Sequence, residues 1–115
     1  MRKREYRDYL EDIIDSIEDI ESFTKNMTLD EFANDRKTVN AVIRSLEVIG
    51  EAAKKIPKSI RDSYPSVSWR KMAGMRDKMI HEYFGIDVNI LWKTIKEDVP
   101  PLKPLVREVL NSFGE

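Results

Sequence analysis

The sequence predicts an all-α domain, an up-and-down bundle of about five helices. Three observations lead there: apolar residues recur at three- and four-residue steps almost throughout, no window keeps the period-two alternation of a half-buried strand, and only four of the 115 residues are glycine. A chain of this length fits a single domain, residues 1–115, and at this size a domain buries roughly two-thirds of its unfolded surface. It holds no internal repeat and no low-complexity tract.

Each element follows from local chemistry. Tyr6, Leu10, Ile13, Ile14, Ile17 and Ile20 form one stripe of a first helix over about Arg4 to Lys25, whose polar face carries Glu11, Asp12, Asp15, Glu18 and Asp19. Thr28-Leu29-Asp30-Glu31 has the spacing of a capping box, in which hydroxyl and carboxylate satisfy free amides at a helix start. A second helix runs from there to Ile56, with Phe32, Val39, Val42, Ile43, Leu46, Ile49 and Ala53 on its buried face and a break expected near Asn34. Pro57 ends it, having no N–H to donate. Residues Pro57 to Ser66 read as a linker or one short helical turn, after which Ser66 or Ser68 caps a third helix carrying Trp69, Met72, Ala73, Met75, Met79 and Ile80. Gly85 is placed to close that helix in a left-handed cap. Asp87 caps a fourth, with Ile90, Leu91, Trp92 and Ile95 expected inward, and Pro100-Pro101 stops it. A last helix turns Leu102, Leu105, Val106, Val109, Leu110 and Phe113 to the core.

Composition narrows the chemistry. With no cysteine there is no disulfide framework and no thiolate metal site, and a single histidine, His81, leaves no multi-imidazole cluster, so neither a metal nor a cofactor is expected. Glu47 and Glu51 lie one helical turn apart, and pairing with Arg44 is the expected use of them. The longest apolar runs, Ala41-Val42-Ile43 and Ile90-Leu91-Trp92, are three residues, against the ~18–20 of a membrane span. The basic start at Arg2-Lys3-Arg4 is followed by no apolar stretch, so a cytoplasmic protein without a membrane partner is the expectation. The net charge of −1 conceals an uneven distribution: residues 1–37 carry seven basic and eleven acidic groups, residues 38–83 nine and five, and residues 84–115 four and five. The basic middle comprises Arg44, Lys54, Lys55, Lys58, Arg61, Arg70, Lys71, Arg76 and Lys78, and it reads either as a solvated helix face or as a surface for a polyanion.

Within that stretch lies Arg76-Asp77-Lys78-Met79-Ile80-His81-Glu82-Tyr83. Asp77 and His81, four apart, share a helix face, whereas Arg76 and His81, five apart, differ by about 140° around the axis. Arginine's reach, fraying near Gly85 or a second copy across a two-fold axis would bring the latter pair together. One reading makes His81 an incidental surface residue. The other is chemistry on RNA, whose 2′-OH is a built-in nucleophile beside the scissile phosphate. An imidazole with pKa near ~6.5 suits the base that takes its proton, and a guanidinium suits the charge building on phosphorus. Asp77 would orient the ring, and Tyr83 would bond a phosphate oxygen or stack on a base. Trp69 and Trp92 read as core rather than base-stacking platforms, and Met72, Met75 and Met79 as core or interface filler.

The Arg-x4-His-x-Tyr string from Arg76 to Tyr83 resembles the signature of the HEPN superfamily, and more narrowly of its HepT-like branch. The stretch from Asn40 to Ala53, the run Ser68-Trp69-Arg70-Lys71-Met72-Ala73-Gly74-Met75, and the later Phe84-Gly85-Ile86-Asp87 and Leu91-Trp92…Asp98-Val99-Pro100…Leu102 patterns match that branch too, so the resemblance covers about Thr38 to Leu105. It implies an α-helical, HEPN-like bundle and a homodimer with its active cleft at the two-fold interface. It further implies a metal-independent endoribonuclease, the toxin of a type VII toxin–antitoxin pair, with Arg76 and His81 catalytic; on the reading of the residues themselves, Asp77 and Tyr83 are expected to support them and Lys78, Arg70, Lys71 and Arg44 to bind RNA. The partner of this branch resembles MntA, a minimal nucleotidyltransferase antitoxin that adds AMP to the motif tyrosine, here Tyr83. Asp77 stands where relatives often have Asn, which favours a ring-orienting role and adds negative charge beside the phosphate site. Two rivals remain: a catalytically inactive HEPN module that binds a nucleotide or docks a nucleotidyltransferase, and a structural helical adaptor.

Overall fold

The computed structural model describes residues 5–79 and 87–112, and of residues 76, 78 and 79 the backbone alone. The described residues form seven α-helices, α1 (Tyr6–Phe23), α2 (Leu29–Ala33), α3 (Arg36–Lys54), α4 (Lys58–Ser63), α5 (Trp69–Met79), α6 (Val88–Lys93) and α7 (Leu102–Asn111), with one π-helical turn at Thr94–Asp98 and no strand. The all-α expectation holds. The count exceeds five because the second helix divides and the Pro57–Ser66 connection coils into α4.

The division has a local cause. At the head of α2, the Thr28 N–H donates to Glu31 Oε1 at 2.9 Å and the Glu31 N–H to Thr28 Oγ1 at 3.1 Å, the reciprocal pair the sequence announces. Five residues later Asn34 Nδ2 donates to Asp30 O at 2.9 Å, and Asp35 opens α3 by accepting from the Thr38 N–H at 3.1 Å and the Thr38 hydroxyl at 2.7 Å. Those two bonds, the backbone one foremost, hold the Asp35 carboxyl below the ordinary carboxylate range. A depressed pKa stabilises the fold above the unfolded value of ~3.9 and ceases to do so as pH falls through the folded value. Asp35→Ala is therefore expected to melt earlier than the parent at neutral pH. The gap should close on acidification, and a gap unchanged in acid would contradict the cap.

α3 packs against both α1 and α5, and α7 lies against α1. Leu10, Ile13 and Ile17 of α1 meet Val42, Leu46 and Ile49 of α3, all fully buried, with Val106 and Val109 closing the core from α7. Exposed charges bind the α1–α7 edge: Lys103 Nζ reaches Glu21 at 3.0 Å and Glu18 at 3.4 Å, and Arg107 Nη2 reaches Glu18 at 3.2 Å. The Glu21 bond is the main cause that holds the Lys103 ammonium above its usual pKa. Asp87 caps α6 through Oδ1, accepting from the amides of Asn89 at 3.0 Å and Ile90 at 3.2 Å. One expectation fails here: Leu91 and Ile95 are buried, but Ile90 is 36% exposed. Three consecutive residues span 200° of a helix, so Ile90, Leu91 and Trp92 cannot all face inward. The π turn, closed by the Val99 N–H donating to Thr94 O at 3.0 Å, was not foreseen. The expected start at Arg4, the Gly85 cap, and the placements of Ile80 and Phe113 lie outside the described residues.

Candidate active site

α5 carries the motif, and its inner face is firmly set. The Trp69 N–H donates to Val67 O and the Met72 N–H to Ser68 O, both at 2.9 Å, so Ser68 is the residue onto which the first turn of α5 closes. The Trp69 ring is 7% exposed and its Nε1 donates to Tyr64 O at 3.1 Å, while Met72 and Met75 are fully buried. These are core roles, as expected. Trp92 is half-buried, its ring 5.1 Å from that of Phe32 with Lys96 Nζ 4.6 Å from its centroid, again a packed position. Against this inner face comes Gly50 of α3: a Cβ there would lie 3.4 Å from the carbonyl oxygens of both Met72 and Ala73. Two helix backbones thus approach so closely that a methyl group would just touch and nothing larger would fit.

The outer face of α5 is open. Arg70, Lys71 and Asp77 are exposed. Arg76 and Lys78 occupy the last turns of α5, but their side chains lie outside the described residues, as do His81 and Tyr83 entirely. Of the four residues of the expected RNA track, Arg70 and Lys71 come together, lining an open depression of about 550 Å³ with Arg61, Asp62, Ser68 and Trp69. Lys71 Nζ also lies 3.5 Å from Asp98 Oδ1, contributed by the π turn. Arg44 is elsewhere: it lines a smaller hollow of about 180 Å³ with Tyr9, Glu51 and Lys55, and pairs with Glu47 at 3.7 Å. Glu51 lies 3.5 Å from Lys54. Among the described residues no group of three or more His, Cys, Asp or Glu could hold a metal ion, and no helix is long and apolar enough to cross a membrane.

Arg61 is the cation that sequence reading left in the general basic stretch. Its Nε donates to Ile56 O at 3.1 Å, which fixes the guanidinium beside the start of α5. Only the fold brings α4 to that spot.

The domain is all-helical, with exposed cations on the helix that leads into Arg-x4-His-x-Tyr, and comparison with known proteins makes its class specific. The family model described as "Ribonuclease HepT-like" matches residues 13–109, and the chain belongs to that family. It is 56% identical over 101 residues to the "Probable ribonuclease HepT" of Thermococcus cleftensis, covering 88% of this chain and 92% of that one. Two Methanocaldococcus jannaschii proteins are similar along nearly the whole chain: "Putative RNase MJ0127", 51% identical, and "Putative RNase MJ1216", 47% identical, each covering 98% of this chain and 93% of the relative. No solved structure matches.

Proposed function

We propose that this protein is a metal-independent endoribonuclease, the toxin of a toxin–antitoxin pair, which cuts RNA by attack of the 2′-OH on the adjacent phosphorus. The observation that carries the reading is membership of the HepT-like ribonuclease family over a span, residues 13–109, that contains the whole Arg76–Tyr83 string. His81 takes the 2′-OH proton as the new O–P bond forms. Arg76 holds the charge that builds on the phosphoryl oxygens, and the P–O5′ bond breaks with the 5′ oxygen gaining a proton. Asp77 orients the imidazole. Lys78, Arg70, Lys71 and Arg44 hold RNA phosphates. A homodimer whose two-fold interface forms the cleft supplies the approach of Arg76 to His81 that one rigid helix does not. The test is direct: purified protein incubated with RNA in EDTA should yield fragments ending in 2′,3′-cyclic phosphate and 5′-hydroxyl. Intact RNA at enzyme excess would defeat the reading.

Regulation belongs to the same proposal. An MntA-like nucleotidyltransferase adds AMP to Tyr83, and each adenylate brings about one negative charge and a bulky base to a cationic cleft, repelling and blocking RNA together. Co-expression with such an enzyme should give adenylate-sized mass increments that vanish in Tyr83→Phe. Increments that persist place the modification elsewhere.

A further inference from the structure

The depression at the start of α5 adds Arg61 to Arg70 and Lys71, the two residues of the proposed phosphate track that come together, so three cations converge on it. Arg61 is anchored through Nε to Ile56 O while lining the hollow, and Arg70 makes no ion pair with any described residue. Lys71 shares its charge with Asp98 at 3.5 Å, and the carboxylate in the hollow, Asp62, is engaged by Lys58 Nζ at 2.7 Å. A second observation lies one turn along. Gly74 follows Arg70 by four residues and Lys71 by three, the spacings of helical neighbours. A Cβ at Gly74 would meet nothing within 4 Å. A mid-helix glycine costs about 1 kcal/mol against alanine, and no neighbour in the described chain requires it. It leaves bare backbone flanked by two cationic positions, where a phosphate can approach the helix closely.

We propose that RNA flanking the cleaved bond runs along the outer face of α5, with a phosphate seated between Arg61, Arg70 and Lys71. This rests on the ribonuclease reading. Arg76 lies six residues beyond Arg70, about 9 Å along the axis and about 120° around it, so a strand joining the two positions wraps partly around α5 and spans several nucleotides at ~3.4 Å per step. The subsite therefore acts on long substrates and is beyond the reach of a dinucleotide. It makes the enzyme a reader of flanking length.

The test compares kcat/KM on a single-stranded RNA of about a dozen nucleotides, long enough to span both sites by that rise, with kcat/KM on a dinucleotide. In Arg61→Gln/Arg70→Gln the ratio of long to short should fall about tenfold, as for one lost phosphate contact of about 1.4 kcal/mol. The salt slope of binding to a fluorescent, uncleavable 2′-O-methyl version of the long RNA should become shallower by roughly 0.7. Lys25→Ala, which removes an exposed cation away from this face, should leave the ratio intact. An unchanged ratio with active enzyme overturns the subsite and leaves the ribonuclease reading standing. If the parent cuts no RNA but the double variant still loses 2′-O-methyl RNA binding, the ribonuclease reading falls and the phosphate site stands. A double variant that changes oligomeric state without changing RNA affinity assigns the face to a second copy and overturns the proposal.

Discussion

On the ribonuclease reading, His81→Ala is expected to abolish RNA cleavage in EDTA while leaving the helical content and melting transition of the domain in place. A positioned acid or base contributes typically ~10²–10⁴-fold to such a reaction, and this chain has no other imidazole to take the proton. The loss should appear in kcat. Arg76→Ala should fall by ~10²–10³-fold, the range for removing one donor from a developing oxyanion. A His81→Ala enzyme with full activity would remove the base from the mechanism, whatever the family.

Gly50→Leu is expected to unfold or loosen the domain, whereas Gly50→Ala is tolerated. The alanine Cβ stands 3.4 Å from the Met72 and Ala73 carbonyl oxygens, a tight contact relieved by a few tenths of an ångström, and alanine gains about 1 kcal/mol of helix propensity over glycine. Leucine adds three more carbons toward a backbone that has no rotamer with which to yield. Overpacking of this kind costs about 1–3 kcal/mol, at roughly 4–8 °C of melting temperature per kcal/mol for a small domain. Because the contact is with α5 itself, cleavage should fall further than stability does. Equal melting temperatures for the leucine variant and the parent would show that the α3–α5 contact is not close.

Much of this architecture is written locally. The Thr28–Glu31 box, the Asp87 cap and the stop at Pro57 each depend on residues within one turn, and each is legible without tertiary information. The Asn34–Asp35 break is of the same kind, since one residue ends a helix and the next begins another. The π turn is different: its one wide bond leaves no compositional mark, so the segment from Val88 to Asp98 reads as one regular helix; the inward placement of Ile90 fails separately, because three successive apolar residues exceed one helix face. At the site, the string from Arg76 to Tyr83 and the exposure of Arg70 and Lys71 are visible in the sequence. The convergence of Arg61 with them is not, because it needs α4 folded against the start of α5. Nor is the separation of Arg44, which belongs to the α1 side of α3.

That arrangement has a kinetic meaning. α3 contacts α1 on behalf of the acidic residues Glu11, Asp15 and Asp19, all exposed, and contacts α5 on behalf of the exposed Arg70 and Lys71. A nearly zero net charge thus conceals an acidic stripe on α1 and a cationic patch at the start of α5. On the ribonuclease reading, a polyanion would be turned from the first and drawn to the second before contact, making productive collisions more frequent without any gain in binding strength. Added salt would first slow arrival, the signature of steering rather than of grip.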